Sequence, residues 1–376
     1  MLPPFSPNLL MYLIGLVDYV SKFFFPRRKM DVFLSVEAVI PVHNEGKTLR
    51  RTIESLLGQS VKLDQIIVVD DASTDDSNQV ASSFRGLLVL RNDFRLGKAL
   101  SVNRALKHVN GDLVVVVDGD TFLERHYISK LREEFAIKET AAASGFVIPS
   151  KESENTAIMR ARVIEDLYSQ STLKRGQDFV KGMFVVSGCC AFYRVSVLRR
   201  FLISDDTITE DLDLTWMLQR NGYRASFATA YAYTIEPNDL SSYRNQIKRW
   251  YIGFFQSLLK HGHGLFDSKP LTLTVSLILV ECLFFTIFWI AIIGLAAASL
   301  VFGGEFNVFR TILYIFLGLD LFTVCFPALI RAFTLGYLTN FLLGIPTYYV
   351  LRLVNALVWW GSFAEWLFDW SPGWEE

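Results

Sequence analysis

The stretch Leu113–Val117, a leucine followed by four valines and stopped by Asp118-Gly119-Asp120, constrains this chain more than any other. An apolar, β-branched run of this length reads as a strand buried on both faces, the pattern of a parallel sheet. In open α/β sheets the ligand crevice lies off the carboxyl ends of such strands. Two carboxylates on either side of a glycine at that end are hard oxygen ligands, with room beside them for a large anion. Mg²⁺ or Mn²⁺, held by few carboxylates and completed by substrate phosphates, fits that supply. Taken alone, Asp118-Gly119-Asp120 also reads as a polar turn that only closes the strand.

The residues upstream supply the partners of that strand. Val32–Val42 reads as a strand ending in Pro41-Val42-His43-Asn44-Glu45-Gly46, and Lys47–Gly58 carries the helix period through Leu49, Ile53, Leu56 and Leu57. Gln65–Val69 is a second strand, closed by Asp70-Asp71-Ala72-Ser73-Thr74-Asp75, with a helix starting near Asp75. Leu87–Leu90 is a third, and Lys98 leads into a helix through Leu106. This βαβαβαβ order predicts a parallel, nucleotide-binding sheet with its polar strand ends on one rim. Asp70 and Asp71 could accept from a base N–H or a ribose hydroxyl, His43 could stack on a base, and Glu45 could accept from a ribose. Lys98 is a point charge suited to a phosphate. Any one of these acids by itself reads as a helix cap; three such strand ends together favour the nucleotide.

Farther along, Ala141–Ile148 reads as a strand and Glu152–Leu173 as a long amphipathic helix. Gly188 allows a close backbone approach, and the small, soft Cys189 and Cys190 suit packing more than reactivity. Thr209-Glu210-Asp211-Leu212-Asp213 opens a helix through Gln219. Acids in a first turn complement the helix dipole; alternatively one of them faces the crevice as a general base. In Leu240–Lys260, Tyr243, Ile247, Trp250, Tyr251, Phe254 and Leu258 share a helical face, surrounded by Arg244, Lys248, Arg249, Gln256 and Lys260. That is the pattern of a helix lying in a membrane interface.

Composition enters through the flanks of this domain. The 376 residues are 51% hydrophobic and 14% aromatic, with a mean hydropathy of +0.30, too apolar for an ordinary soluble chain. A formal net charge of −1 gives no sign of a nucleic-acid partner. The four cysteines, Cys189, Cys190, Cys282 and Cys325, form neither a disulfide framework nor a metal spacing, and five scattered histidines suggest no zinc site. Leu9–Phe25 is apolar and is followed at once by Arg27-Arg28-Lys29. That order predicts a retained anchor, or an interfacial helix, with the domain beyond it on the cytoplasmic side. Leu271–Phe302, Thr311–Ile330 and Asn340–Trp360 predict three or four membrane helices, joined in part by an outer turn at Gly303–Asn307 and anchored by Trp359, Trp360 and Trp366. Glu281, Asp320 and Arg352 are costly in lipid and are expected to face a protein or water-lined interior. The expected division is an N-terminal anchor at 1–29, a cytoplasmic catalytic domain at 30–238, an interfacial helix at 239–269 and membrane helices at 270–376.

PVHNE at Pro41–Glu45, VVDDAST at Val68–Thr74, DGD at Asp118–Asp120, TED at Thr209–Asp211 and Gln246-Ile247-Lys248-Arg249-Trp250 follow one another in that order. The ordered set resembles the processive, membrane-embedded family 2 glycosyltransferases, among them the cellulose, chitin, hyaluronan and poly-N-acetylglucosamine synthases. The resemblance implies an α/β GT-A fold and inverting, metal-dependent transfer from a nucleotide sugar, usually a UDP-sugar, at the cytoplasmic face of the cell membrane. It would place the nucleoside and phosphates on His43, Glu45, Asp70, Asp71 and Lys98, with Asp118 supporting the donor and Asp120 ligating Mg²⁺ or Mn²⁺. Asp211 would be the base. Gln246, Arg249 and Trp250 would line the acceptor and diphosphate site, with Gly188 and Cys189 on the acceptor side. His43 stands where a tyrosine is common. The short chain is closer to the poly-N-acetylglucosamine and chitooligosaccharide synthases, which implies UDP-N-acetylglucosamine, a growing glycan acceptor and an accessory membrane subunit. A polyprenyl-phosphate glycosyltransferase would share the DD and DGD residues without needing Q-x-x-R-W. A non-catalytic scaffold would be expected to lose some of Asp118, Asp120 and Asp211.

Overall fold

The computed structural model describes residues 9–24, 33–151, 153–302 and 307–368. The Arg27-Arg28-Lys29 run and the turn beginning at Gly303 lie outside them. Helix α1 (Leu9–Phe24) precedes a domain built on β1 (Val36–Val42), α2 (Gly46–Leu57), β2 (Gln65–Asp70), α3 (Ser77–Ser82), β3 (Leu88–Arg91), α4 (Lys98–Ala105) and β4 (Leu113–Val117). Every residue of β1 and β4 is buried, as the continuous apolar run requires. Alternate side chains serve opposite layers. Val39, Val114 and Val116 pack in one core with Val102 of α4, while Ala38, Ile40, Val115 and Val117 pack in the other with Leu49 and Ile53 of α2.

The chain continues through β5 (Thr121–Leu123), α5 (Tyr127–Glu134), β6 (Thr140–Pro149), α6 (Ala157–Tyr168), a π-turn (Ser169–Leu173), α7 (Lys174–Phe179), β7 (Cys190–Arg194), α8 (Val195–Leu198), α9 (Glu210–Arg220) and β8 (Arg224–Thr234). The eight strands form one sheet in the order β3-β2-β1-β4-β7-β6-β8-β5. The expected parallel arrangement holds for β3-β2-β1-β4 and stops there. Strand β7 runs antiparallel to both β4 and β6, β8 is parallel to β6, and β5 is antiparallel to β8. Strand β7 returns beside β4 from the opposite direction, so the carboxyl end of β4 meets the amino end of β7. Val117 pairs with Cys190, and Asp118 N–H donates to Cys189 O at 3.1 Å. The antiparallel strand thereby carries Gly188 and Cys189 to the DGD turn.

The long helix expected over 152–173 begins instead at Ala157, where the Thr156 hydroxyl accepts from Met159 N–H, and it changes to a π-turn at Ser169 before continuing as α7. It is not a surface amphipath: Met159, Ala161, Arg162, Val163, Ile164, Leu167 and Tyr168 are all buried. Helix α1 packs on the π-turn and on α7, backbone against backbone. A Cβ at Gly15 would come within 1.9 Å of Thr172 O, and one at Gly176 within 2.0 Å of Met11 O.

The C-terminal part comprises α10 (Leu240–His261), a 3₁₀ turn (Gly262–Asp267), α11 (Lys269–Val280), a π-turn (Glu281–Phe285), α12 (Thr286–Phe302), α13 (Asn307–Leu335) and α14 (Leu338–Leu367). The face of α10 that reads as lipid-facing is largely committed to protein. Tyr243, Ile247 and Phe254 are buried; the Tyr243 hydroxyl donates to Asn355 of α14 at 2.7 Å. Phe255 stacks on Trp366 and touches Trp359 and Phe363. Helix α10 meets apolar residues of α14 along this face, and beside it Lys248 pairs with Glu365 of α14 at 2.9 Å. The stretch expected to span from Leu271 to Phe302 is helical throughout, running from α11 through its π-turn into α12. Among the described residues, α14 is long and apolar enough to cross a membrane. Within α13, Val308–Phe322 and Phe326–Leu335 pass the same test together, bent by 40°, with Pro327 inside the helix at the bend. Asp320 of α13 and Arg352 of α14 pair at 2.5 Å, and Tyr349 adds its hydroxyl to Asp320, the inward pairing expected of charges among apolar helices.

Candidate functional site

Three parallel strands end side by side, and each end is shaped by its own backbone. After β1, Asn44 takes a left-handed φ of 58°, and its side-chain oxygen accepts from Thr74 N–H at 2.8 Å. After β2, Ala72 takes φ 57°, an uncommon conformation for a residue with a Cβ. His43 Nδ1 lies 2.8 Å from Asp71 O. The loop after β1 is thus pinned to the loop after β2.

Asp70 and Asp71 point into the protein. Asp70 is buried and accepts from Ser73 N–H at 2.8 Å, with Arg91 at 3.5 Å. Asp71 accepts from Asn92, Leu96 N–H and Gly97 N–H at 2.6–2.8 Å. Burial would raise its carboxyl, but these donors outweigh burial and hold it below the usual range. These bonds let Asp71 order the loop that delivers Lys98. Asn92, which bonds both Asp71 and Ser101, belongs to this arrangement and carries no motif that sequence reading could have used.

The DGD turn follows β4. Thr52 of α2 donates to Gly119 O at 2.8 Å, and Glu45 lies against Gly119, where a Cβ would sit 2.6 Å from its Oε2. That oxygen is buried and, among the described residues, has no hydrogen-bond partner. Burial first, then Asp120 and Asp118, push Glu45 up to about 8; burial and Asp118 push Asp120 up to about 6. A cleft of about 400 Å³ opens here, lined by Asn44, Glu45, Lys47, Thr48, Asp75, Asp120 and Ile235. Carboxylates crowded in this way, with one oxygen unpartnered, suit a divalent cation. Among the described residues no three acidic, histidine or cysteine groups make a ready shell; Asp120 would need phosphate oxygens to complete one.

Lys98 ties this rim to the opposite wall. Its ammonium lies 2.6 Å from Asp118 Oδ1, 3.4 Å from Glu210 Oε1 and 3.3 Å from Gly188 O. Burial alone would lower it, but Asp118 and then Glu210 hold it well above the usual lysine range. The sequence predicts a phosphate contact; the structure adds a bridge between DGD and TED. Next to Glu210, Asp211 accepts from Gly188 N–H at 3.0 Å and from Leu212 N–H at 2.8 Å. Burial and the Glu210 charge push Asp211 up to about 6. The close approach expected at Gly188 is confirmed in space: a Cβ there would be 2.9 Å from Asp211 Cβ. Cys189 and Cys190 are unbridged, with sulfurs 4.0 Å apart.

Helix α10 crosses the TED loop without clearance. A Cβ at Gly253 would lie 2.2 Å from Thr209 Oγ1, and Ile208 N–H donates to Gln256 at 2.9 Å. One turn earlier, Trp250 is 39% exposed with the Arg162 guanidinium 5.5 Å from its ring. Arg162 is held by Glu236, Glu165 and Asp166 at 2.9, 2.6 and 3.6 Å. Gln246 has a buried side-chain oxygen without a partner among the described residues, and Arg249 is exposed. Lys98 thus links Asp118, on the turn that carries Asp120, to Glu210 beside Asp211, and Gly253 sets α10 against the TED loop; Asp120 lines the cleft of about 400 Å³, which neither Asp211 nor Trp250 lines. Sequence reading missed the locks behind them. Asp213 accepts from His261 and Lys260 at 2.6 and 3.0 Å, tying α9 to α10; only its place in the acidic first turn could have pointed to it.

Residues 37–202 match the family described as Glycosyl transferase family 2. An Escherichia coli (strain K12) protein, the uncharacterized glycosyltransferase YaiP, is 30% identical over 256 residues, covering 64% of this chain and 63% of its own length. The poly-beta-1,6-N-acetyl-D-glucosamine synthase of Staphylococcus aureus (strain COL) is 24% identical over 260 residues, covering 66% of this chain and 62% of that protein. The chain thus spans less than two thirds of the length of these relatives. Among solved structures, the mannosyltransferase PcManGT from Pyrobaculum calidifontis in complex with GDP-Man and Mn2+ superposes with a TM-score of 0.59 at 18% identity, over 91% of this chain and 96% of that one. At that identity the likeness speaks to the fold, a mixed α/β sheet of the GT-A kind.

Proposed function

We propose that this chain, which carries a glycosyl transferase family 2 domain over residues 37–202, transfers a sugar from a nucleoside diphosphate to the hydroxyl of a growing β-linked glycan. The observation that carries the reading is Lys98, which joins Asp118 on the donor rim to Glu210 and Gly188 beside Asp211. It sets a diphosphate site and a proton acceptor on either side of one ammonium. Asp120, with Glu45 behind it, would hold the cation. When bound, Mg²⁺ or Mn²⁺ supplies Lewis acidity to the leaving diphosphate. Lys98 and the exposed Arg249 add phosphate contacts. Asp211 takes the acceptor's proton, and the Trp250 face seats the acceptor ring.

The S. aureus relative supports UDP-N-acetylglucosamine as donor, and α14 with the bent α13 supports an enzyme held in a membrane. A multi-pass chain with its catalytic domain on the cytoplasmic face, export and an accessory subunit belong to the same proposal and rest on the family resemblance. The test is the purified full chain with each labelled UDP-sugar, singly and in pairs, with Mg²⁺ or Mn²⁺. A sized product cleaved by a linkage-specific hydrolase is expected; no turnover of any nucleotide sugar would overturn the reading. Transfer of one sugar to a lipid carrier is a second reading, favoured by an apolar cavity of about 800 Å³ between α7 and the C-terminal helices.

A further inference from the structure

Arg162 of α6 is buried where α6, the chain leaving β8 and α10 meet. Each nitrogen of its guanidinium is given to a different carboxylate: Nε to Glu236 at 2.9 Å, Nη1 to Glu165 at 2.6 Å and Nη2 to Asp166 at 3.6 Å. A guanidinium is planar and donates along its edges. Three carboxylates around that edge fix its plane and leave its broad faces for other contacts. Burial by itself would disfavour the charge, but Asp166, Glu236 and Glu165 hold Arg162 above the usual arginine range.

Two rings of α10 approach this cation. From the guanidinium carbon, the Trp250 ring centre is 5.5 Å away and that of Tyr243 is 6.0 Å away. Seven residues separate the two, about two helical turns, which sets them on one side of α10. Tyr243 is buried and has a second hold, its bond to Asn355. Trp250 is partly exposed, and a side chain at such a position has more than one rotamer open to it. Cation–π attraction gives its indole one preferred seat, and the attraction is stronger where the cation is shielded from water.

Glu236 carries this support toward the donor. The residue before it, Ile235, lines the cleft that Asp120 lines, while Glu236 is buried against Arg162. Of two consecutive residues, one faces the donor cleft and the next holds the cation beneath the proposed acceptor platform. Such a link matters because a misplacement of about 1 Å between reacting groups can cost roughly 10²-fold in rate.

We propose that Arg162 is the positioning residue of the acceptor site: with its plane fixed by Glu236, Glu165 and Asp166, it seats the Trp250 ring and sets that ring relative to the donor cleft. This rests on the glycosyl-transfer reading above and names what orients its acceptor platform. Lysine is no substitute. An ammonium is a point charge without a flat face, and it cannot hold three carboxylates around a rigid edge.

The test is a double-variant cycle on the full chain with Arg162→Lys and Trp250→Leu, read by incorporation from labelled UDP-N-acetylglucosamine, by UDP titration with Mn²⁺ and by tryptophan emission. Arg162→Lys should bind UDP like the parent and lose about two- to thirtyfold in transfer, the span of a cation–π contact. Trp250→Leu added to Arg162→Lys should cost much less than in the parent, since the ring has already lost its seat. The Trp250 emission, obtained by subtracting the matching Trp250→Leu spectrum, should shift to longer wavelength and be quenched more steeply by acrylamide in Arg162→Lys. Additive losses, or a Trp250 signal equal to the parent's, overturn the proposal and leave glycosyl transfer standing. If the parent turns over no nucleotide sugar, the transfer reading falls, while emission and quenching still decide whether Arg162 seats the ring. Should Arg162→Lys fail to bind UDP, Glu236→Gln, which keeps the volume and removes one hold on the guanidinium, takes its place with the same expectations. If neither variant binds UDP, Arg162 is a lock of the fold and the positioning role is overturned.

Discussion

Asp211 accepts two backbone N–H bonds, which favour its ionised form, and yet burial and Glu210 push it up to about 6. Charged or titratable neighbours reach it from every side: Glu210 on α9, Lys98 on α4, Lys174 on α7 and Tyr193 on β7. A base with a raised value is protonated, and idle, below it. The kcat/KM for transfer should therefore fall as pH drops through about 6, and an acid limb at the ordinary carboxylate value would remove Asp211 from the role. Replacing Asp211 by Asn should leave nucleotide affinity intact and cut transfer by roughly 10²–10⁴-fold, the usual worth of general-base help. Asp120→Ala should act on the other half of the reaction. Titration with UDP should lose its Mn²⁺ dependence, because Asp120 is the rim carboxylate lining the donor cleft beside Glu45.

At the scale of elements, the site depends on how closely α10 crosses the start of α9. Gly253 meets Thr209 with no space for a methyl group, and the Asp213–His261 bond at 2.6 Å closes the crossing from the far end. Gly253→Ala should push α10 away from the TED loop. The expected signature is a raised acceptor KM and a lowered kcat with UDP affinity unchanged; a variant kinetically equal to the parent would show that the crossing does not position Trp250. Gly188 is crowded in the same way, against Asp211. A methyl there would displace the base itself.

Across the whole molecule, α14 joins the helical layer to the sheet domain. It packs on α6 and on α10, and through Trp359, Phe363 and Trp366 it seats Phe255. Phe255→Ala should cost about 3–5 kcal/mol, the range for emptying a buried aromatic site. Denaturant titration in detergent would show it as a lowered midpoint. If the midpoint held, α10 would be anchored elsewhere. Helix α1, set backbone to backbone on α7 through Gly15 and Gly176, braces the element that carries Lys174.

The first four strands in chain order and their shared rim were legible in the sequence, because each rests on local rules: period, β-branched runs, and polar residues where a strand stops; the same rules single out Asp118, Asp120 and Asp211 as candidates. Strands β5 and β8 were not legible, since short or alanine-rich segments such as Arg224–Thr234 carry little β signal. Nor was the antiparallel insertion of β7, which is a matter of long-range pairing. Only the tertiary structure decided that Asp70 and Asp71 turn inward, that Lys98 bridges Asp118 and Glu210 of two separate motifs, and that α10 spends its apolar face on α14. The physical reason is the same in each case: which partner a carboxylate, an ammonium or an apolar face meets depends on residues distant in the chain, and the cost of leaving such groups unmatched is settled only when those residues arrive.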